Sequence, residues 1–193
     1  MRTLAVAALA FEAAAWRSYA DGRRLIIRVT GVGPRAGPAL ADAILSVRPD
    51  RVVGFGLCGG IAPDARAGTL AVPAWAALAD RPVRVGLAPL PPLVPVGGMW
   101  TVPTVVALPS AKRVLWQRTA ARWVDQETAH WAHVCAAHGI PCSVVKVVVD
   151  GPDSALPTRR DPRSWGAWRW LPGRALAARR ALAALGRRLW CVS

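Results

Sequence analysis

Acidic residues are the first candidates for chemistry, because only 11 of the 193 residues are Asp or Glu. Glu12, Glu127 and Asp150 fall at the ends of predicted strands or the start of a predicted helix, where α/β sheets bind ligands. Buried carboxyl groups with raised pKa values can transfer protons near neutral pH. Ordinary interpretations exist for each: a solvated helix residue, a first-turn acid favoured by the helix dipole, and a turn residue. Together the three acids predict a ligand pocket.

A glycine motif suggests a different ligand. The stretch GFGLCG at residues 54–59 matches the dinucleotide fingerprint GxGxxG. That fingerprint requires a helix to begin at the motif, whereas residues 61–64 predict a turn. A dinucleotide-binding site is therefore not favoured. The glycines could still form a loop whose backbone a ligand approaches closely, and this interpretation is kept as an alternative.

Histidine and cysteine side chains cluster between residues 130 and 142. His130 and His133 would share a helix face, but His138, five residues further on, turns away from them. Cys135 is better explained as a core residue. The spacing therefore does not favour a zinc site, and no metal is expected.

Strands and helices alternate along the chain and would position these residues. The predicted strands cover residues 3–8, 24–30, 51–56, 69–73, 102–108 and 142–149. The predicted helices cover residues 11–19, 36–47, 126–138 and a basic C-terminal segment, 174–190. The proline-rich segment 83–108 is otherwise expected to be an irregular loop. This order predicts one α/β domain over residues 1–193, with a twisted, mixed or mostly parallel central sheet flanked by helices.

Charge and composition limit the possible partners and location. A net charge of +14 suggests a nucleic-acid partner, but no nucleic-acid-reading motif accompanies it, so this stays an alternative. Four cysteines without a CxxC motif do not form a disulfide scaffold and fit a reducing cytoplasm. The apolar residues 4–10 are better explained by a first strand than by a signal peptide. Prolines interrupt the longest apolar stretch, so no membrane span is expected.

Several stretches, in order, resemble the purine nucleoside phosphorylase / nucleosidase superfamily, especially its methylthioadenosine/S-adenosylhomocysteine nucleosidase branch. They are AALAFE (7–12), TGVGP (30–34), RPDRVVGFGLCGGI (48–61), AGTLAVP (67–73), VDQETA (124–129), HGIP (138–141) and KVVVD (146–150). The segment between about 74 and 123 is shorter than in that family. In addition, DSALP (153–157) resembles hopanoid-associated members that release adenine from adenosylhopane.

The resemblance implies cleavage of the N-glycosidic bond of an adenosine-like nucleoside through an oxocarbenium-like sugar. Asp150 would protonate the departing purine, and Glu127 would accept hydrogen bonds from the ribose hydroxyls. Glu12 would orient or deprotonate water. Lys146 stands where the family has an arginine near the nucleophile. The catalytic set implied is therefore Asp150, Glu12 and Lys146.

Further positions and partners follow from the same resemblance. The implied substrate-binding residues are Glu127, Gln126, Thr30, Gly31, Leu57 and Gly59. Ala8-Leu9-Ala10 replaces the family's phosphate-binding turn, which favours hydrolysis; phosphate stays open as a co-substrate if Arg35 or Lys146 holds it. No organic cofactor is implied, and a homo-oligomer is expected.

Departures from the family pattern leave other functions open. Gln126 replaces the methionine under the sugar, Val149 the serine before the catalytic acid, and Leu57 a serine near the nucleophile. Trp100 or Trp116 would be candidates for stacking on the base. The alternatives are an inactive member that binds a nucleoside or a protein, and a basic nucleic-acid-binding protein.

Overall fold

One mixed sheet of nine strands runs through the part of the chain that the computed structural model describes, residues 1–157 and 170–190. The strands are β1 (Thr3–Ala7), β2 (Leu25–Val29), β3 (Arg51–Gly60), β4 (Leu70–Ala71), β5 (Trp75–Leu78), β6 (Val85–Gly86), β7 (Gly98–Thr101), β8 (Trp123–Asp125) and β9 (Cys142–Asp150). The helices are α1 (Ala10–Ala13), α2 (Ala36–Val47), α3 (Pro109–Thr119), α4 (Thr128–Ala137) and α5 (Leu171–Trp190). Cys191 and the arginines between residues 158 and 169 lie outside the described residues.

Most strand pairs are parallel. The strands β2, β1, β3 and β9 lie side by side in that order and run in parallel. A second parallel group contains β5, β7 and β8, and a short antiparallel pairing of β8 with β3 joins the two groups. The short strands β4 and β6 pair antiparallel. The predicted α/β class with a mixed, mostly parallel sheet is confirmed.

The strand β9 is buried on both faces, as its nearly continuous valines predict. Val144 and Val148 pack into one core cluster, together with residues of α2 and α4. Val145 and Val147 pack into another cluster, together with residues of α5. Helices therefore cover both faces of the sheet, and β9 carries its last residue, Asp150, to the edge where the neighbouring parallel strands also end.

The structure corrects several predicted boundaries. β3 continues through the glycine cluster to Gly60, because β9 pairs with it along residues 52–59. The strand predicted at residues 102–108 is wrong: the strand there is β7, which ends at Thr101 and pairs with β5 and β8. The segment expected to be an irregular loop contains β6 and β7.

Helix α3 was not predicted from the sequence. Pro109 occupies its first turn, a position that suits proline because the amide of that residue has no intrahelical partner. Its apolar residues form no clear stripe, so the periodicity that predicts amphipathic helices is weak here. Among the described residues, no helix combines the length and the apolar composition needed to cross a bilayer.

Candidate active site

A cleft lies beyond the ends of β1, β3, β8 and β9. Its volume is about 210 Å³. A single buried water needs roughly 10–15 Å³, so the cleft can admit a small organic molecule. Glu12, Glu127 and Asp150 all line it. The structure thus brings together three acids that lie far apart in the sequence.

Glu12 is held by backbone amides. The Leu57 N–H donates to Glu12 Oε1 at 2.8 Å, and the Leu9 N–H donates to Oε2 at 2.9 Å. The side chain is buried, although α1 itself is only four residues long. Burial raises the pKa of Glu12, while the Lys146 charge and both amides oppose that rise. The carboxyl is therefore fixed in place and its proton affinity is increased.

Glu127 immediately precedes α4 and binds a buried lysine. Lys146 Nζ lies 2.9 Å from Glu127 Oε2 and 2.6 Å from Asp125 Oδ2. Burial raises the pKa of Glu127, against the lowering effect of Lys146. Burial alone would lower the pKa of Lys146, but the charges of Asp125, Glu127 and Glu12 outweigh it and raise that pKa. Lys146 is therefore a permanent cation behind the carboxylates.

Asp125 is a cleft residue that the sequence analysis did not assign to the site. Its Oδ1 accepts a hydrogen bond from the Thr101 hydroxyl at 2.7 Å. Its Oδ2 accepts one from the Thr128 N–H at 3.0 Å, at the start of α4, besides binding Lys146. The sequence signal that could have identified Asp125 is its position three residues before Thr128, the first residue of α4. Carboxylates near a helix start bind its free backbone amides.

A bulge positions Asp150. In the pairing of β3 with β9, Cys58 faces Val148, but the next residue, Gly59, faces Asp150, so Val149 is skipped. Bulges of this kind redirect side chains at strand ends. A Cβ added at Gly59 would lie 3.3 Å from Asp150 Oδ1. The glycine thus leaves room for the carboxyl group beside the strand.

Lys112, on α3, binds Asp150 and was also not predicted as a site residue. Its Nζ donates to Asp150 Oδ2, to the Gly151 carbonyl at 2.8 Å and to the Ser154 carbonyl at 2.9 Å. Burial raises the pKa of Asp150, while the Lys112 and Arg174 charges oppose the rise. The sequence signal that could have identified Lys112 is the rarity of lysine, because 23 of the 25 basic residues are arginine. The structure shows that both lysines are fully buried.

The other sequence-predicted residues divide into two groups. Gln126, Leu57 and Gly59 line the cleft. Thr30, Gly31 and Lys146 are not among the residues that line it. Thr30 accepts a hydrogen bond from the Trp131 indole N–H at 3.1 Å, and Lys146 is fully buried against two carboxylates.

The expected base-stacking tryptophans are also elsewhere. Trp100 and Trp116 do not line the cleft, and Trp116 borders a separate surface hollow. Val102 and Val106 line the cleft in that part of the chain instead. A base bound there would contact aliphatic rather than aromatic side chains.

The charged side chains that line the cleft are all acidic among the described residues. Four carboxyl groups line it, from Glu12, Asp125, Glu127 and Asp150. Among the described residues that line it there is no Lys, Arg or His, since both lysines lie behind the carboxyls. Such a site favours positive charge on a bound molecule and disfavours a free anion.

A family model described as the phosphorylase superfamily matches residues 76–167, a range that contains Glu127, Lys146 and Asp150. The resemblance seen in the sequence is therefore confirmed. Among curated proteins, no sequence gives a significant match.

Solved structures with a similar fold include two from Helicobacter pylori. One is a 5′-methylthioadenosine/S-adenosylhomocysteine nucleosidase (TM-score 0.79, 14% identity, 97% of each chain covered). The other is a futalosine hydrolase (TM-score 0.79, 14% identity, 97% of each chain covered). A putative 5′-methylthioadenosine/S-adenosylhomocysteine nucleosidase from Francisella philomiragia is also similar (TM-score 0.79, 14% identity, 98% of each chain covered). At these identities the likeness shows the fold.

Proposed function

We propose that this chain, which has the fold and a sequence match of the phosphorylase superfamily, hydrolyses the N-glycosidic bond of an adenosine-like nucleoside. The observation that carries the proposal is the convergence of Glu12, Glu127 and Asp150 on one cleft at the carboxyl ends of the strands. The similar structures include nucleosidases and a futalosine hydrolase. The reaction requires no metal or organic cofactor, because side chains supply the proton transfers.

Asp150 acts as the general acid. As the bond between the sugar carbon and the base nitrogen breaks, its electron pair goes to the purine, and Asp150 transfers its proton to the base. Burial raises the pKa of Asp150, which favours the protonated form that a general acid requires. Protonation turns a poor anionic leaving group into a neutral one.

Glu127 binds the ribose. One of its oxygens is bound to Lys146, so Oε1 is left to accept hydrogen bonds from sugar hydroxyls. The sugar becomes positively charged as the base departs, and the surrounding carboxylates stabilise this charge. Lys146 fixes the orientation of Glu127 and balances part of the negative charge.

Glu12 activates the water. Both of its oxygens are fixed by backbone amides, but each retains a lone pair for a water hydrogen. Water adds to the sugar carbon and its proton passes to Glu12, so the products are a free sugar and a free base. The raised pKa of Glu12 makes it a stronger base than an exposed carboxylate.

Water rather than phosphate is the proposed nucleophile because the described cleft residues carry no cation. Arg35, one alternative for holding phosphate, is exposed and outside the cleft lining. Lys146, the other, is already bound to two carboxylates. Among the described residues that line the cleft, a phosphate dianion would therefore meet four carboxyl groups and no cation.

The finer substrate proposal concerns the 5′ substituent. Aliphatic side chains line much of the cleft, including Val32, Val105 and Leu156. Leu156 belongs to the DSALP stretch that resembles hopanoid-associated members. We therefore favour an adenosine with an apolar 5′ substituent, and a place in hopanoid side-chain formation is the specific form of this proposal.

The test is an adenine-release assay on a panel of 5′-substituted adenosines, with and without phosphate. Wild-type protein should release adenine and a free sugar, at a rate that phosphate does not increase. Asp150→Asn should lower kcat by roughly 10²–10⁴-fold, as expected for loss of a general acid, while nucleoside binding persists. Asp153→Asn, at an exposed acid three residues away, is the matched control and should keep wild-type activity.

A nucleoside-binding module without activity is the second candidate. Gln126, Val149 and Leu57, the residues that depart from the family pattern, all line the cleft. Such a module would bind members of the panel without releasing base, in the wild type and in Asp150→Asn alike. That result would refute the hydrolase.

A further inference from the structure

We propose that Lys112 is a positioning residue for this reaction: it holds Asp150 by one carboxyl oxygen and leaves the other, Oδ1, for the base. This inference rests on the proposed function. It concerns α3, which contributes Lys112 to the site from outside the strands that form the cleft.

The hydrogen bonds of Lys112 leave no donor unused. A lysine ammonium has three N–H groups. Here its acceptors are Asp150 Oδ2, the Gly151 carbonyl and the Ser154 carbonyl. The side chain is fully buried, so water does not compete for these bonds. The ammonium therefore joins α3 to the acid and to the segment that follows β9.

The local structure leaves Asp150 in need of such support. The residue before it is Val149, which has no hydroxyl group to hold the carboxyl, and β9 is bulged at this point. Among the described residues, the hydrogen bonds of the Asp150 side chain come from Lys112 through Oδ2. Both carboxyl oxygens lie beside Gly59, which itself lines the cleft, and because Lys112 binds Oδ2, Oδ1 is the oxygen left for proton transfer.

The charges around Asp150 give this role a measurable signature. The groups that face it are Lys112 from α3, Arg174 from α5 and the Cys58 thiol from β3. Lys112 is the largest influence opposing the raised pKa of Asp150. Removing the Lys112 charge should raise the Asp150 pKa further, so the acid should stay protonated to higher pH.

The kinetic test compares Lys112→Met with Lys112→Arg. Lys112→Met should lower kcat by about 10-fold or more, as expected for a misplaced general acid, with KM within about 3-fold of wild type. The alkaline limb of its kcat profile should move up by about one pH unit. Lys112→Arg keeps the charge and should leave that limb in place.

Arg113→Met is the matched control, because Arg113 is the next residue of α3 but exposed. It removes a positive charge near the site and should change neither kcat nor the pH profile. A folded Lys112→Met variant with wild-type kcat and an unmoved alkaline limb would overturn the inference.

A second measurement does not depend on the folding of Lys112→Met. The chain has only two lysines, so ¹⁵N labelling of lysine side chains gives two ammonium signals. Lys112→Arg identifies the Lys112 signal, and Asp150→Asn should shift that signal more than the signal of Lys146. A Lys112 signal that does not shift would overturn the pairing of Lys112 with Asp150, even if the protein releases adenine. If the wild-type protein releases no base, the proposed function is overturned, and the positioning role is overturned with it.

Discussion

Gly54, Gly56 and Gly59 of β3 lie where side chains from other elements approach the strand closely. An added Cβ would lie 2.7 Å from the Trp131 ring at Gly54, 2.7 Å from the Glu12 carboxyl at Gly56, and 3.3 Å from Asp150 at Gly59. The same three glycines form the GxGxxG match, but β3 continues through them and no helix begins there. At the residue scale, this motif makes room for two site carboxyls and a core tryptophan.

Gly56→Ala tests this spacing. The new Cβ would collide with Glu12, and the backbone φ of +151° at Gly56 suits glycine best. We expect the free energy of unfolding to fall by about 1–3 kcal/mol and adenine release to fall with it, because Glu12 must move. Urea denaturation and kcat measure the two effects.

Gly86→Ala is the control for that substitution, since no atom lies within 4 Å of its added Cβ. Both properties should stay close to wild type in this variant. Unchanged stability and activity in Gly56→Ala would mean that the close approach of Glu12 to β3 is not required.

At the scale of elements, helix α5 supports the strands that carry the site. Leu182 is fully buried and packs in the core cluster that contains Val145 and Val147 of β9. The Trp16 indole N–H donates to the Leu182 carbonyl at 2.7 Å, and the Trp16 ring stacks on Phe55 of β3. The helix thus joins the segment after β1 to the central strands.

Leu182→Ala should lower the free energy of unfolding by about 2–5 kcal/mol, as expected for truncation of a buried leucine. Leu176→Ala, on the same helix but 42% exposed, should change it by less than about 0.5 kcal/mol. Urea denaturation of both variants measures the difference. Equal effects would mean that α5 does not stabilise the core through Leu182.

At the scale of the whole molecule, positive charge and carboxyl groups are segregated. The net charge of +14 comes mostly from arginines, whereas the cleft is lined by four carboxyls and no described cation. Burial raises the pKa values of Glu12, Glu127 and Asp150. Each of these groups therefore binds a proton more tightly in the folded chain than in the unfolded chain.

This linkage gives a pH dependence with a definite sign. Between the unfolded and folded pKa values of Glu12, the folded state binds more protons, so the contribution of Glu12 to stability falls as pH rises. Glu12→Gln removes this titration. The free energy of unfolding of Glu12→Gln, relative to that of wild type, should therefore increase from pH 4.5 towards neutral pH. Loss of a hydrogen-bond acceptor at this position adds a difference that does not change with pH.

Thermal or urea unfolding of wild type and Glu12→Gln at matched pH values measures this difference. Asp21→Asn is the contrasting variant, because backbone amides lower the pKa of this exposed carboxyl. Its stability relative to wild type should rise as pH falls below 3.8, the ordinary aspartate pKa, and should change little towards neutral pH. A Glu12→Gln difference that stays flat would show that the Glu12 pKa is not raised by folding.

Much of the fold was predictable because it depends on local patterns. The valine run of β9 and the helical spacing in α2 predicted those elements within one residue at each end. The three acids could be placed near one another because the carboxyl ends of parallel strands meet at one edge of a sheet. The segment from β5 to α3 was poorly predicted, since its strands are two to four residues long and form through pairing with distant partners.

The amino-acid order alone thus determined the α/β class, the alternation of elements, the segment after β1 that carries Glu12 and the strand end that carries Asp150. Tertiary packing decided which polar groups join them: Lys112 and Asp125 enter the site, while Thr30 lies outside the cleft lining. The physical reason is that these contacts link residues distant in sequence, Lys112 and Asp150 being 38 positions apart. A bulge at the end of β9 and the neighbouring Gly59 place Asp150 for its contact, and neither feature leaves a periodic signal in the sequence.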